Sequence, residues 1–228
     1  MFFDPPERID VMRRMVLADT LEKRQEQLDQ LFVFQKDDML GMFKAMDVLP
    51  VTIRLLDPPL HEFLPHDDHA MEHLGNLDEV KKRCQELQEV NPMLGFRGCR
   101  LTVIYPEITV MQVKAIMTAA CEAAKSGAKP IVEIMIPVVA LGSEIEHILP
   151  IVKATANEVL ATQGLSIPFK VGTMIELPRA CSCADDIAKA GAEFFSFGSN
   201  DLTQTVFGKL RINLVCRICT LDADCMLH

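Results

Sequence analysis

The 228-residue chain contains no run of about 18 consecutive apolar residues, and so no candidate helical membrane span. Its opening residues, Met1-Phe2-Phe3-Asp4-Pro5-Pro6, lack the basic and apolar regions of a secretory signal. Positive charge is not in excess either: 23 Lys and Arg stand against 32 Asp and Glu, a formal net charge of −9. A broadly acidic surface repels phosphate backbones and anionic headgroups, which argues against nucleic-acid and membrane partners. No glycine-rich phosphate loop or dinucleotide fingerprint occurs, so the chain shows no nucleotide site of its own. The expectation is a soluble, cytoplasmic protein, an organellar location of a parent protein being left open, in which local arginines hold any anionic ligand.

What is present is apolar material enough for a core. Hydrophobic residues make up 49% of the chain, and its length suits one large domain. The eight cysteines are scattered, mostly within apolar periodic segments, which suits reduced thiols better than a disulfide framework. The first five (Cys84, Cys99, Cys121, Cys181 and Cys183) read as buried free thiols. Cys216, Cys219 and Cys225 fall in the last segment, Lys209 to His228, which has no clear strand-helix unit. Zinc needs four ligands at workable spacing, and only His228 could be the fourth. The reading is therefore a domain over 1–208 and a divergent, poorly ordered tail over 209–228.

Along the chain, helical periodicity runs from Glu7 to Met46, with Asp37 expected to cap a separate short helix carrying a stripe of Met39, Met42, Phe43 and Met46. Five segments read as buried strands: 50–57, 95–103, 130–139, 169–176 and 194–197. Between them, Pro58 to Gly75 reads as a polar loop and Leu77 to Val90 as a helix. Pro106 opens a helix that ends near Gly127. Ser143 with Glu146 reads as a capping box, with Pro150 expected to kink or restart the helix it opens. Pro178 starts a helix that stops near Gly191. Alternating strands and helices with near-continuous apolar strands imply a parallel sheet. The expected fold is α/β, a partial (β/α)8 TIM barrel with about five of the eight strands.

Two of the strands end in carboxylates. Glu176 and Asp201 are 25 residues apart, one strand-helix-strand unit, so adjacent parallel strands would bring both to one rim. Two oxygen ligands that leave open positions suit Mg2+ completed by water and substrate oxygens. The plainer alternative is an N-capping Asp201 and a Glu176 paired with Arg179. Arg54 and Arg97 are anomalies in apolar segments, and a buried guanidinium needs a partner; its planar fork suits a phosphate or carboxylate. Each could equally pair with Asp57 or Glu133. His61, His66, His69 and His73, interleaved with Asp67 and Asp68, read as a solvated loop.

The segments PVTIRLLDPPLHEFLP, NPMLGFRGCRL, KVGTMIELPRA and EFFSFGSNDLTQTVFG together resemble the pyruvate, phosphate dikinase family of phosphoenolpyruvate-utilising enzymes. The resemblance runs from Met1 to about Gly208. Phosphoenolpyruvate synthase and the bacterial phosphotransferase enzyme I share the GFRG-, TMIE- and GSNDLTQ-like blocks. It implies a (β/α)8 barrel whose rim binds phosphoenolpyruvate or pyruvate with Mg2+. It further implies a phosphohistidine on a separate swivelling domain as phosphoryl partner, and a homo-oligomeric parent enzyme. By motif, Glu176 and Asp201 are the expected Mg2+ ligands, Arg54 grips the phosphoryl group, Arg97 helps bind the substrate anion, and Ser199 and Asn200 contact substrate. The family's first barrel strand, its last strands with the Gly-Cys-Gly-Glu loop, the swivelling domain and the ATP-grasp segment are not matched. An inactive fragment that associates with a full-length subunit is the alternative expectation.

Overall fold

The computed structural model describes residues 6–65, 67–91 and 94–208. Helices α1 (Pro6–Leu17) and α2 (Leu21–Met46) lead into strand β1 (Pro50–Arg54) and a 3-10 turn, Leu60–Phe63. Four helices follow: α3 (Asp68–Glu72), α4 (Leu77–Leu87), α5 (Cys99–Ile104) and α6 (Pro106–Lys125). Then come β2 (Ile131–Ile136), α7 (Gly142–Gln163) and β3 (Phe169–Ile175). The last described elements are α8 (Pro178–Ser182), α9 (Ala184–Lys189), β4 (Phe195–Phe197) and α10 (Ser199–Phe207). The strands form one parallel sheet in the order β1-β2-β3-β4, curled into half a barrel. No helix among the described residues is long and apolar enough to cross a membrane.

Alternation decides which face of the sheet is covered. Val51 and Ile53 of β1, Val132, Ile134 and Ile136 of β2, and Val171 and Ile175 of β3 face outward and join one core with α6, α7 and the end of α2. The most deeply placed helical members include Ile116, Met117, Ile148 and Val152. The other face presents Thr52, Glu133 and Lys170 side by side in register, followed by Arg54, Met135 and Gly172. A second apolar cluster lies off the sheet, where Met12 and Met15 of α1 meet Leu28 and Leu31 of α2, Phe63, and Val80 and Cys84 of α4.

Four of the five expected strands form. The fifth, 95–103, is instead a turn and helix α5, because Gly98 takes φ 60° and the buried residues Cys99, Leu101 and Thr102 lie on a helical turn while Val103 is exposed. Asp37 caps nothing: α2 is continuous, since Leu28, Leu31, Gln35, Met39 and Phe43 prolong one buried stripe. Met39 and Phe43 join the core, but Met42 and Met46 lie on the exposed side. Ser143 and Glu146 both lie inside α7, whose N-cap is Leu141, and it is the Glu144 carboxylate that accepts from the N–H groups of Ala140 and Leu141 at 2.6 and 3.0 Å. Helix α7 continues through Pro150 without restarting. The 58–75 segment carries short helical turns, with Asp67 capping α3 through Ala70 N–H. Cys84, Cys99 and Cys121 are buried as expected, whereas Cys181 is exposed and Cys183 half-buried. Residues 209–228, with the remaining cysteines, and His66 lie outside the described residues.

Candidate functional site at the strand-end rim

Parallel strands point their C-terminal ends the same way, and the segments that leave those ends bring four charged side chains into contact. Arg54 closes β1, and Asp57 follows three residues later. Asp57 is 6% exposed and is the hub: Arg97 donates to its Oδ1 from Nη2 at 2.7 Å and from Nε at 3.2 Å. Arg54 Nη1 stands 3.3 Å from its Oδ2. Arg97 also reaches across to β4's exit, with Nη1 3.2 Å from Asp201 Oδ2. The chain of contacts therefore runs Arg54, Asp57, Arg97, Asp201, from one edge of the sheet to the other.

Arg97 is brought here by the turn before α5. Gly98 N–H donates to the Asp57 carbonyl at 3.2 Å and Cys99 N–H to the Pro137 carbonyl at 3.0 Å, so the turn is stitched to the ends of β1 and β2. A Cβ on Gly98 would stand 2.7 Å from Val138 Cγ2 and 2.9 Å from the Pro137 oxygen, and φ 60° suits glycine as well. Opposite carboxylates outweigh the burial of Arg97 and hold its guanidinium charged, with Asp57 the strongest partner and Asp201 and Glu176 contributing.

Glu176 follows β3 directly and is 2% exposed. Its Oε1 accepts the Val138 N–H at 2.7 Å. Its Oε2 lies against Gly198, where a Cβ would stand 2.7 Å from that oxygen and 2.6 Å from Glu176 Cβ. Gly198 opens α10, so the absence of a side chain there lets the carboxylate approach the turn that carries Asp201. Burial pushes the Glu176 carboxyl up; the Val138 N–H opposes it, Asp57 and Asp201 add to it, and Arg97 opposes it. Glu176 thus feels Asp201 as a neighbouring like charge.

The plainer alternatives divide. Asp201 is in the first turn of α10 but is not its cap, which is Gly198, and among the described residues no ion pair joins Glu176 to Arg179. The pairing of both arginines with Asp57 holds, whereas Glu133 accepts from Thr52 Oγ1 at 2.6 Å. Arg54 is not a buried arginine: its side chain is 46% exposed, because it lies on the open inner face of the sheet beside Met174 Sδ. Ser199 and Asn200 are exposed at the start of α10. Among the described residues no group of three or more His, Cys, Asp or Glu is placed to hold a metal, and the His-rich segment is no exception: His61 Nδ1 accepts the Glu89 N–H and the rings of His69 and His73 pack edge to face.

Two residues of the rim were not candidates by sequence. Asp57 was visible only as one ion-pair partner among several, although its spacing from Arg54 and the two prolines after it mark a fixed strand exit. Val138, which holds Glu176, carries no signal at all, being one more apolar residue in an apolar run.

The model of the PEP-utilising enzyme family, for its PEP-binding domain, matches residues 7–220. The chain belongs to this family. It is 51% identical over 220 residues to pyruvate, phosphate dikinase, chloroplastic, of Flaveria pringlei, covering 92% of this chain and 23% of that protein. It is 52% identical over 218 residues to pyruvate, phosphate dikinase 1, chloroplastic, of Arabidopsis thaliana (92% and 22%), and 49% identical over 218 residues to pyruvate, phosphate dikinase 2 of Zea mays (92% and 25%). The chain spans about a quarter of the length of these PEP-utilising relatives. The half-barrel is thus a PEP-binding-domain segment, with the charged rim at the strand ends.

Proposed function

We propose that the rim binds phosphoenolpyruvate and pyruvate with Mg2+, as the pyruvate half of a dikinase. In the longer enzyme a phosphohistidine on a swivelling domain exchanges its phosphoryl group with pyruvate, so that ATP, pyruvate and phosphate become AMP, phosphoenolpyruvate and pyrophosphate. The observation that carries the reading is the unbroken charge chain from Arg54 to Asp201 beside the buried Glu176. The two arginines of the rim are outnumbered by Asp57, Asp201 and Glu176, so a trianionic substrate needs Mg2+ there beside the arginines, and phosphoryl transfer is largely a matter of positioning and charge neutralisation.

The roles follow from how each group is held. Arg97, clamped by Asp57, is fixed in direction and suits the substrate carboxylate. Arg54, half exposed and less tightly paired, has the freedom to close on the phosphoryl oxygens. Ser199 and Asn200 meet the substrate from the start of α10. Glu176 and Asp201 are the residues that would hold Mg2+: both offer hard oxygens, and their mutual repulsion is the kind a divalent cation relieves. Mg2+, when bound, supplies charge neutralisation at the substrate oxygens.

Calorimetric titration of the chain with phosphoenolpyruvate, with and without Mg2+, tests the reading. Binding should require Mg2+ and should be lost in Arg54→Ala and Asp201→Ala; retention of normal affinity in either variant removes that residue from the site. A second reading rests on the sheet edges. Among the described residues β1 and β4 each pair with one strand only, and Phe197 is 72% exposed. Such edges invite further strands, from the rest of a longer protein or from a full-length subunit that this chain would join without turning over substrate. Co-purification with such a subunit, together with no Mg2+-dependent binding, favours that reading.

A further inference from the structure

Val138 is a buried, β-branched residue held at φ 56°. Asp47 is the other non-glycine residue with positive φ among the described residues, and Asp tolerates that region where valine resists it. An unfavourable backbone angle persists only where its surroundings over-determine it. Here they do. The Val138 carbonyl accepts from Cys99 Sγ at 3.1 Å and from Arg100 Nη1 at 3.4 Å, and its side chain packs over Gly98, where a Cβ would collide with it. On its other side the same residue sends its N–H to Glu176 Oε1 at 2.7 Å.

We propose that Val138 is a positioning residue for this rim: its N–H fixes one oxygen of Glu176 and so turns the other toward Gly198 and the turn that carries Asp201. This rests on the reading of Glu176 as a Mg2+ ligand. A freely rotating carboxylate samples both oxygens, whereas one anchored at Oε1 presents Oε2 in one direction. The Val138 backbone direction also ties that carboxylate to the 97–100 turn, so the anion-binding arginine and the metal-binding carboxylate are set by one residue. Val138 touches neither substrate nor metal; it acts through Glu176. Outer partners of this kind typically change metal affinity by about 10–100-fold when removed.

The test uses the full chain and Mg2+ titrated in the presence of phosphoenolpyruvate. Val138→Pro removes the N–H and, with φ fixed near about −65°, the positive backbone angle as well, and should weaken Mg2+ by about 10–100-fold. Val138→Gly keeps the N–H and adopts positive φ freely, so it should restore most of that affinity although it loses more buried side chain. Equal losses in the two variants, or none in Val138→Pro, overturn the inference. Should Val138→Pro fail to fold, amide exchange decides: the Val138 amide should be protected in the wild-type chain and exchange at least about tenfold faster in Glu176→Ala. An unprotected wild-type amide, or one indifferent to Glu176→Ala, overturns it as well. No Mg2+-dependent binding by the wild-type chain overturns the functional reading and this inference together, whereas wild-type binding left intact by Val138→Pro overturns this inference alone.

Discussion

Glu176 and Asp201 leave neighbouring strands, but different kinds of structure hold them. Glu176 follows a seven-residue strand whose Val171, Thr173 and Ile175 are buried, and it is itself 2% exposed. Asp201 sits in α10, which has no buried residue, after a three-residue strand. Phe197, Val206 and Phe207 around it are more than half exposed. Packing and the Val138 N–H hold the first carboxylate, whereas the second is held by its ion pair with Arg97. Changes in the core should therefore act on the β1–β3 side, whereas changes in the charge chain should act across the rim.

The largest effect expected is from Asp57→Ala. It leaves Arg97, whose side chain is 11% exposed, with Asp201 in place of its closest carboxylate, and the loss should approach the about 3–5 kcal/mol of a broken buried pair. Urea denaturation measures it; a loss below about 1 kcal/mol would mean that packing alone holds the rim. Next comes a matched pair of truncations. Ile134→Ala, at a fully buried position of β2, should cost about 2–5 kcal/mol. Phe197→Ala, on β4, should fall within about 0.5 kcal/mol. Comparable losses in the two would erase the contrast between the halves.

The smallest effect expected is a pH dependence at Glu176. Burial raises its carboxyl above the ordinary 4.5, helped by Asp57 and Asp201 and opposed by the Val138 N–H and Arg97. A carboxyl raised in the folded state binds its proton more tightly there than in the unfolded chain. Its contribution to stability is therefore full below pH 4.5 and lost as pH rises through the folded value. Glu176→Gln should flatten that fall, leaving the variant more stable than wild type at pH 7 and no more stable at pH 4, as urea midpoints at the two pH values would report. A variant less stable at pH 7 would rank the carboxylate's contact with Val138 above the cost of burying it.

The elements legible in the sequence were those whose periodicity matched their packing. PVTIR and PIVEIMI are short apolar runs introduced by proline, and they pair with each other in parallel as β1 and β2. GFRGCRLTV has the same apolar character, yet Gly98 turns it, and the turn is made by backbone contacts to β1 and β2 that no local pattern encodes. The rim position of Glu176 was legible for a related reason, since a polar residue that directly follows an apolar strand has only the rim to occupy, whereas Asp201 lies in the first turn of α10. Val138 was not, because its function lies in a backbone angle, and side-chain type says nothing of that angle except that valine avoids it. Ser199 and Asn200 came from motif resemblance, and their exposure at the start of α10 is compatible with the contacts proposed for them.

The cysteines give this molecule graded timing marks. Cys181 on α8 is exposed, Cys84 is 8% exposed, and Cys121 on α6 is wholly covered. A thiol-labelling reagent should modify Cys181 at once and Cys121 only when α6 lifts from the sheet. Cys99 is shielded twice, since it too is wholly covered and burial, its main influence, pushes its thiol up to about 12, which leaves little reactive thiolate at neutral pH. The order in which these sulfurs become reactive would therefore record which layer of the half-barrel opens first.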